Sequence, residues 1–79
     1  MSIIVKTAGV CAGRARINGT RIAVWLIQAW TKKGMSSDDL LVEYPFLSEE
    51  GIQAALQYAN ENKEEIEFDI EENERDDGK

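Results

Sequence analysis

Three arginines, Arg14, Arg16 and Arg21, surround the dipeptide Asn18-Gly19, and their chemistry is the recognition of an anion. Guanidinium forks pair bidentately with phosphate or carboxylate oxygens. Asn18-Gly19 tolerates the positive φ that a type I′ hairpin turn demands, and short runs with β-branched residues lie on both sides of it. A two-residue turn sets Ile17 opposite Thr20, Arg16 opposite Arg21 and Ala15 opposite Ile22. Arg14, Arg16 and Arg21 then share one face of a ribbon, and Ala15, Ile17, Thr20 and Ile22 the other. Like charges directly opposed on a ribbon cost roughly 0.2 to 1 kcal/mol per pair. Two occupants would relieve that cost: nucleic-acid phosphate, or carboxylates of this chain or of a second copy.

Catalysis is the least supported class. Cys11 is the only cysteine and the chain has no histidine, which removes an intrachain disulfide, a Cys–His pair and a zinc site. No glycine-rich phosphate loop is present, and the carboxylates sit in helix starts and near the C-terminus, where solvated charge explains them. Neither a metal nor a cofactor is expected.

The net charge of −6 conceals a segregation. Lys6, Arg14, Arg16, Arg21, Lys32 and Lys33 meet no acid in residues 1–37, whereas all 15 acids lie in residues 38–79. Such halves neutralise each other within a fold or a dimer, or address different partners. At 79 residues a single small domain buries about 60 to 65% of its unfolded surface, so dimerisation would add useful stability. No apolar run approaches the roughly 20 residues of a membrane span, and the N-terminus lacks the layout of a signal peptide. A cytoplasmic protein without a membrane partner is expected.

The elements that must position these residues follow from periodicity and caps. Ile3–Thr7 reads as a short strand. From Val24 to Lys33 the period turns helical, with Leu26, Ala29, Trp30 and Lys33 on one stripe and Gly34 as the left-handed cap. Trp25 and Trp30 should point to different places. Ser36 and Asp39 form a capping-box signal for a second helix that Pro45 ends near Tyr44. Ser48 caps a third, which runs through Ala55, Leu56 and Ala59 to Asn60–Asn62. The last two make a helix-turn-helix candidate, with the first as third member of a bundle. Its second helix offers Gln53 and Gln57 to base edges but also carries Glu49, Glu50 and Glu61. Lys32 and Lys33 would add to phosphate contacts, and any DNA binding should weaken steeply with salt.

Residues 1–63 therefore read as a β-ribbon plus three-helix domain, and residues 64–79 as a separate acidic segment. Ile66, Phe68 and Ile70 alternate there with acids at period two. This pattern fits a strand that folds onto a partner, with those three residues as anchors. The plainer alternative is a solubilising tail whose Ile66 finishes the core.

The run Gly9-Val10-Cys11-Ala12-Gly13-Arg14-Ala15-Arg16-Ile17-Asn18-Gly19-Thr20-Arg21-Ile22-Ala23-Val24 resembles the domain of unknown function family 433. Gly34-Met35-Ser36, Tyr44-Pro45-Phe46-Leu47-Ser48 and Ala54-Ala55-Leu56-Gln57-Tyr58 extend the likeness over about residues 3–70. The chain departs from the family at Ala15 and Ala23, where proline is frequent, and at Ala12, where glycine is. The resemblance implies a mainly α, three-helix, homeodomain-like (helix-turn-helix) bundle with a short N-terminal β-strand and β-hairpin. It further implies a dimeric VapB-type antitoxin that neutralises a PIN-like nuclease toxin and binds operator DNA. A protein–protein or dimerisation module without DNA binding is the alternative.

Overall fold

A computed structural model describes the backbone of residues 3–77 and the surroundings of residues 3–73. The described chain runs β1 (Ile4–Val5), a 3-10 turn (Cys11–Gly13), β2 (Arg16–Ile17), α1 (Val24–Lys32), α2 (Ser37–Glu43), α3 (Glu49–Glu61) and α4 (Lys63–Asp77). The fold is mainly helical, with four α-helices among the described residues and one two-stranded antiparallel sheet. None of these helices is long and apolar enough to cross a membrane.

The expected ends of the first three helices match their chemistry. Gly34 closes α1 at φ +103°, with its N–H on the Thr31 carbonyl (3.0 Å) and that of Met35 on the Trp30 carbonyl (3.1 Å). These are the paired bonds of a Schellman motif, which satisfy carbonyls that the helix end leaves open. Ser36 and Asp39 form a reciprocal capping box, Asp39 N–H to Ser36 Oγ at 3.2 Å and Ser36 N–H to Asp39 Oδ2 at 3.0 Å. Ser48 Oγ accepts from the N–H of Gly51 at 3.0 Å. Gly51 is there for a second reason: a Cβ on it would lie 3.3 Å from Ile17 Cγ2, so its absence lets the first turn of α3 rest on β2.

Two expectations need correction. First, Arg16 lies between Val5 on one side and Ala23 on the other, not opposite Arg21. The Asn18-Gly19 turn closes by Thr20 N–H to the Ile17 carbonyl (3.1 Å), with φ +84° at Gly19 but no positive φ at Asn18. That is a type II rather than a type I′ pattern. Ile17 N–H then bonds the Ile22 carbonyl at 2.9 Å, so the register is two residues longer and Arg21 stays outside the ladder.

Second, Ile66, Phe68 and Ile70 belong to a fourth helix, not to a strand, and the boundary drawn at Lys63 falls at its start. No sheet edge was needed to satisfy this backbone, because Glu and Lys are good helix formers and the helix pairs its own amides. Helical period places Ile66, Asp69, Ile70 and Asn73 on one side, and that side faces α1 and α3. The core therefore joins both segments: Ile17, Val24, Ile27, Leu40, Leu47, Ile52, Ala55 and Ala59 form one cluster with Ile66 and Ile70.

Candidate functional site

The three arginines do not share a face. Arg14 follows the 3-10 turn and points inward, where its guanidinium pairs with the Asp69 carboxylate of α4. Asp69 is only 5% exposed, and a carboxylate so placed requires a charged partner to offset its lost hydration. Arg16 is spent within the loops: Nη1 donates to the Thr20 carbonyl at 2.9 Å and Nη2 to Thr7 Oγ1 at 3.0 Å. It ties the chain after β1 to the Asn18-Gly19 turn. Arg21 alone is exposed, and its carbonyl accepts from the Cys11 thiol at 3.1 Å. The register explains the split, since a residue in the turn segment does not share the alternation of a ladder.

The other candidates for nucleic acid are also dispersed. Lys32 lies 4.0 Å from Glu67, and the Lys33 ammonium stands 5.2 Å from the centre of the Trp30 ring. Gln53 and Gln57 are exposed on α3, as base readout requires, yet their amides donate to Glu49 (2.8 Å) and Glu61 (3.3 Å), and Gln53 also to Ser37 (3.2 Å). A helix face that offers carboxylates beside its amides repels phosphate.

Helix α4 separates the three apolar residues that the period-two reading grouped. Ile66 (1% exposed) and Ile70 (7%) are core residues and are not available as anchors, whereas Phe68 is 59% exposed. Glu64, Glu67 and Glu71 are exposed as well. Glu64, four residues before Phe68, and Glu71, three after it, fall on the Phe68 side of the helix, and Glu67 borders that side toward Lys32 of α1. The outward face of α4 is thus an aromatic ring framed by acids.

Helix α4 is fastened at its first turn by a polar cluster. The Tyr58 hydroxyl donates to Glu65 Oε1 at 2.9 Å, and Lys6 Nζ lies 3.0 Å from Glu65 Oε2. Hydrogen bonds to Glu65 and then Tyr58 hold the Lys6 ammonium above its ordinary pKa of 10.5. Burial, followed by the Glu65 carboxylate, raises the Tyr58 phenol above 10.0.

Two features had no clear signal in the sequence. Val42 (81% exposed) and Phe46 (64%) leave an apolar patch at the α2–α3 turn, with Phe46 in edge contact with Tyr44 at 6.2 Å. Cys11 and Ala12 adopt φ of +52° and +55° in succession, the left-handed region in a pair of non-glycine residues. Each such residue costs on the order of 1–2 kcal/mol, a cost characteristic of binding loops. Gly9 and Gly13 on either side favour a loop there but do not show that its centre is strained.

The profile of a family described as "Protein of unknown function (DUF433)" matches residues 4–59, a span that ends before α4. No curated protein matches the chain. Among solved structures it is similar to the crystal structure of a DUF433 member protein from Anabaena variabilis ATCC 29413. The two are 43% identical, with 86% of this chain and 67% of that chain covered and a TM-score of 0.82.

Proposed function

The chain belongs to the DUF433 family, and from that premise we propose that it is the antitoxin-like member of a prokaryotic toxin–antitoxin pair, acting on a PIN-like nuclease through α4. The observation that carries this reading is the outward face of α4, where Phe68 is exposed among Glu64, Glu67 and Glu71. A nuclease holds RNA in a groove that attracts phosphate. A helix with carboxylates along one side presents comparable charge, and a single aromatic in their midst supplies the desolvated anchor on which interface energy concentrates. In this reading α1–α3 are a homeodomain-like helix-turn-helix unit, and the protein works in the cytoplasm as a homodimer.

The test is co-purification with the product of the neighbouring gene. Glu64→Lys, Glu67→Lys and Glu71→Lys together, and Phe68→Ala alone, should each abolish capture while helicity is retained. Undiminished capture by both variants would refute the assignment of α4.

A protein-interaction module without DNA binding is the second reading. It is favoured by the internal use of Arg14 and Arg16 and by the exposed Val42 and Phe46. Operator binding would fall to Arg21, Lys32 and Lys33. A gel shift with the upstream promoter fragment separates the two readings, because sequence-specific retardation lost on Arg21→Ala and Lys33→Ala excludes the module without DNA.

A further inference from the structure

A cleft of about 330 Å³ opens between the Cys11–Gly13 turn, the start of α1 and Asn73 on the inner side of α4, and Arg14, Arg21, Trp25 and Leu26 are among the residues that line it. Neither the acidic face of α4 nor the α2–α3 turn contributes to it. Its volume is at the lower end of small-molecule sites, too small for a nucleotide and sufficient for one ring with a short substituent. The Asn73 amide is engaged, donating to the Asp69 carbonyl at 2.7 Å, and the remaining walls offer two main surfaces. Trp25 and Leu26 offer an indole and an aliphatic surface, both half-buried on the first turn of α1. Arg14 and Arg21 offer guanidiniums, but the two differ in what they have left to give. Arg14 is neutralised by Asp69, whereas Arg21 forms no ion pair or side-chain hydrogen bond among the described residues.

We propose that this cleft binds a small aromatic monocarboxylic acid, its carboxylate on Arg21 and its ring on Trp25 and Leu26. One guanidinium without a charged partner among the described residues matches one negative charge, and its planar fork suits a carboxylate. The indole face accepts a flat ring in an offset or edge arrangement. The rim of the cleft is the left-handed Cys11–Ala12 pair, so the strained segment of the fold borders the site. Strain of this kind persists where surrounding structure holds a loop in shape for a ligand. The Cys11 thiol is turned away from reaction by its bond to the Arg21 carbonyl, and its part is to hold that carbonyl and the turn together.

The experiment follows the two indole N–H resonances of the full chain by ¹H–¹⁵N correlation spectra during titration with benzoate, with benzamide as the neutral isostere and inorganic phosphate as the ringless anion. The Trp25 resonance should shift in a saturable way with benzoate, while that of Trp30 stays in place. Benzamide and phosphate should bind at least tenfold more weakly, and Arg21→Gln should weaken benzoate at least tenfold without altering the Trp30 resonance. The exposed position of Arg21 makes that variant safe to fold. Absence of a saturable Trp25 shift overturns the proposal. So does equal binding of benzamide, equal binding of phosphate, or unchanged benzoate affinity in Arg21→Gln.

Discussion

Arg14 and Asp69, fifty-five residues apart in sequence, form an ion pair that joins the loop before β2 to the centre of α4. The Asp69 side chain is 8% exposed and that of Arg14 24%, so water screens the pair only in part. Removing one partner strands a largely desolvated charge, whereas replacing both by apolar groups removes the charge and its desolvation cost together. Asp69→Ala should therefore lower unfolding free energy by about 2–3 kcal/mol in urea denaturation, and Asp69→Leu with Arg14→Met should recover most of the loss. A cost below about 0.5 kcal/mol for Asp69→Ala would show that the pair contributes nothing.

The two faces of α4 predict opposite mutational effects. Ile66→Ala empties a position that is 1% exposed and should cost about 2–4 kcal/mol. Phe68→Ala, at a position 59% exposed, should change stability by less than about 0.5 kcal/mol. Thermal melts of the two variants decide whether α4 is part of the domain. Equal melting temperatures would mean that it is not.

The strained turn offers a gain. Ala12 has φ +55° and ψ +32°, a region that glycine occupies without the Cβ penalty. Relief of that penalty exceeds the extra unfolded-state entropy of glycine, so Ala12→Gly should stabilise the chain by up to about 1 kcal/mol. For a chain of this size a gain of 1 kcal/mol raises the melting temperature by about 4–8 °C. A lower melting temperature for the variant would contradict the left-handed assignment.

Alkaline pH should loosen the contact between β1, α3 and α4. Lys6 and Tyr58 both hold their protons more tightly in the fold than at their ordinary pKa values of 10.5 and 10.0. The stability each contributes is full below those values and disappears as pH rises through the higher folded ones. Stability measured by urea titration should fall from pH 10 upward. Tyr58→Phe should cost about 1 kcal/mol at pH 7 and flatten that fall. A variant whose alkaline limb parallels that of the parent protein would remove Tyr58 from the linkage.

Local chemistry along the chain determined the first three helices and their ends, because a cap is written in residues that are neighbours: Ser36 with Asp39, Ser48 before two glutamates, Gly34 after two lysines. It also determined that residues around Asn18-Gly19 turn back on themselves, and that charge is segregated. Tertiary structure decided the rest. The hairpin register depended on whether Ile17 pairs with Thr20 or Ile22, two alternatives that both bury Ile17 and differ only in what β1 and α3 accept beside them. The state of residues 63–77 was open for a similar reason, since Ile66 and Ile70 fit period two and period four alike. The apolar surface of α1 and α3 selected the helix by burying both residues on one side, together with Asp69. Arg14 could meet Asp69 only after that choice, and so the face that looked like three arginines became one internal ion pair, one loop clasp and one exposed cation, Arg21.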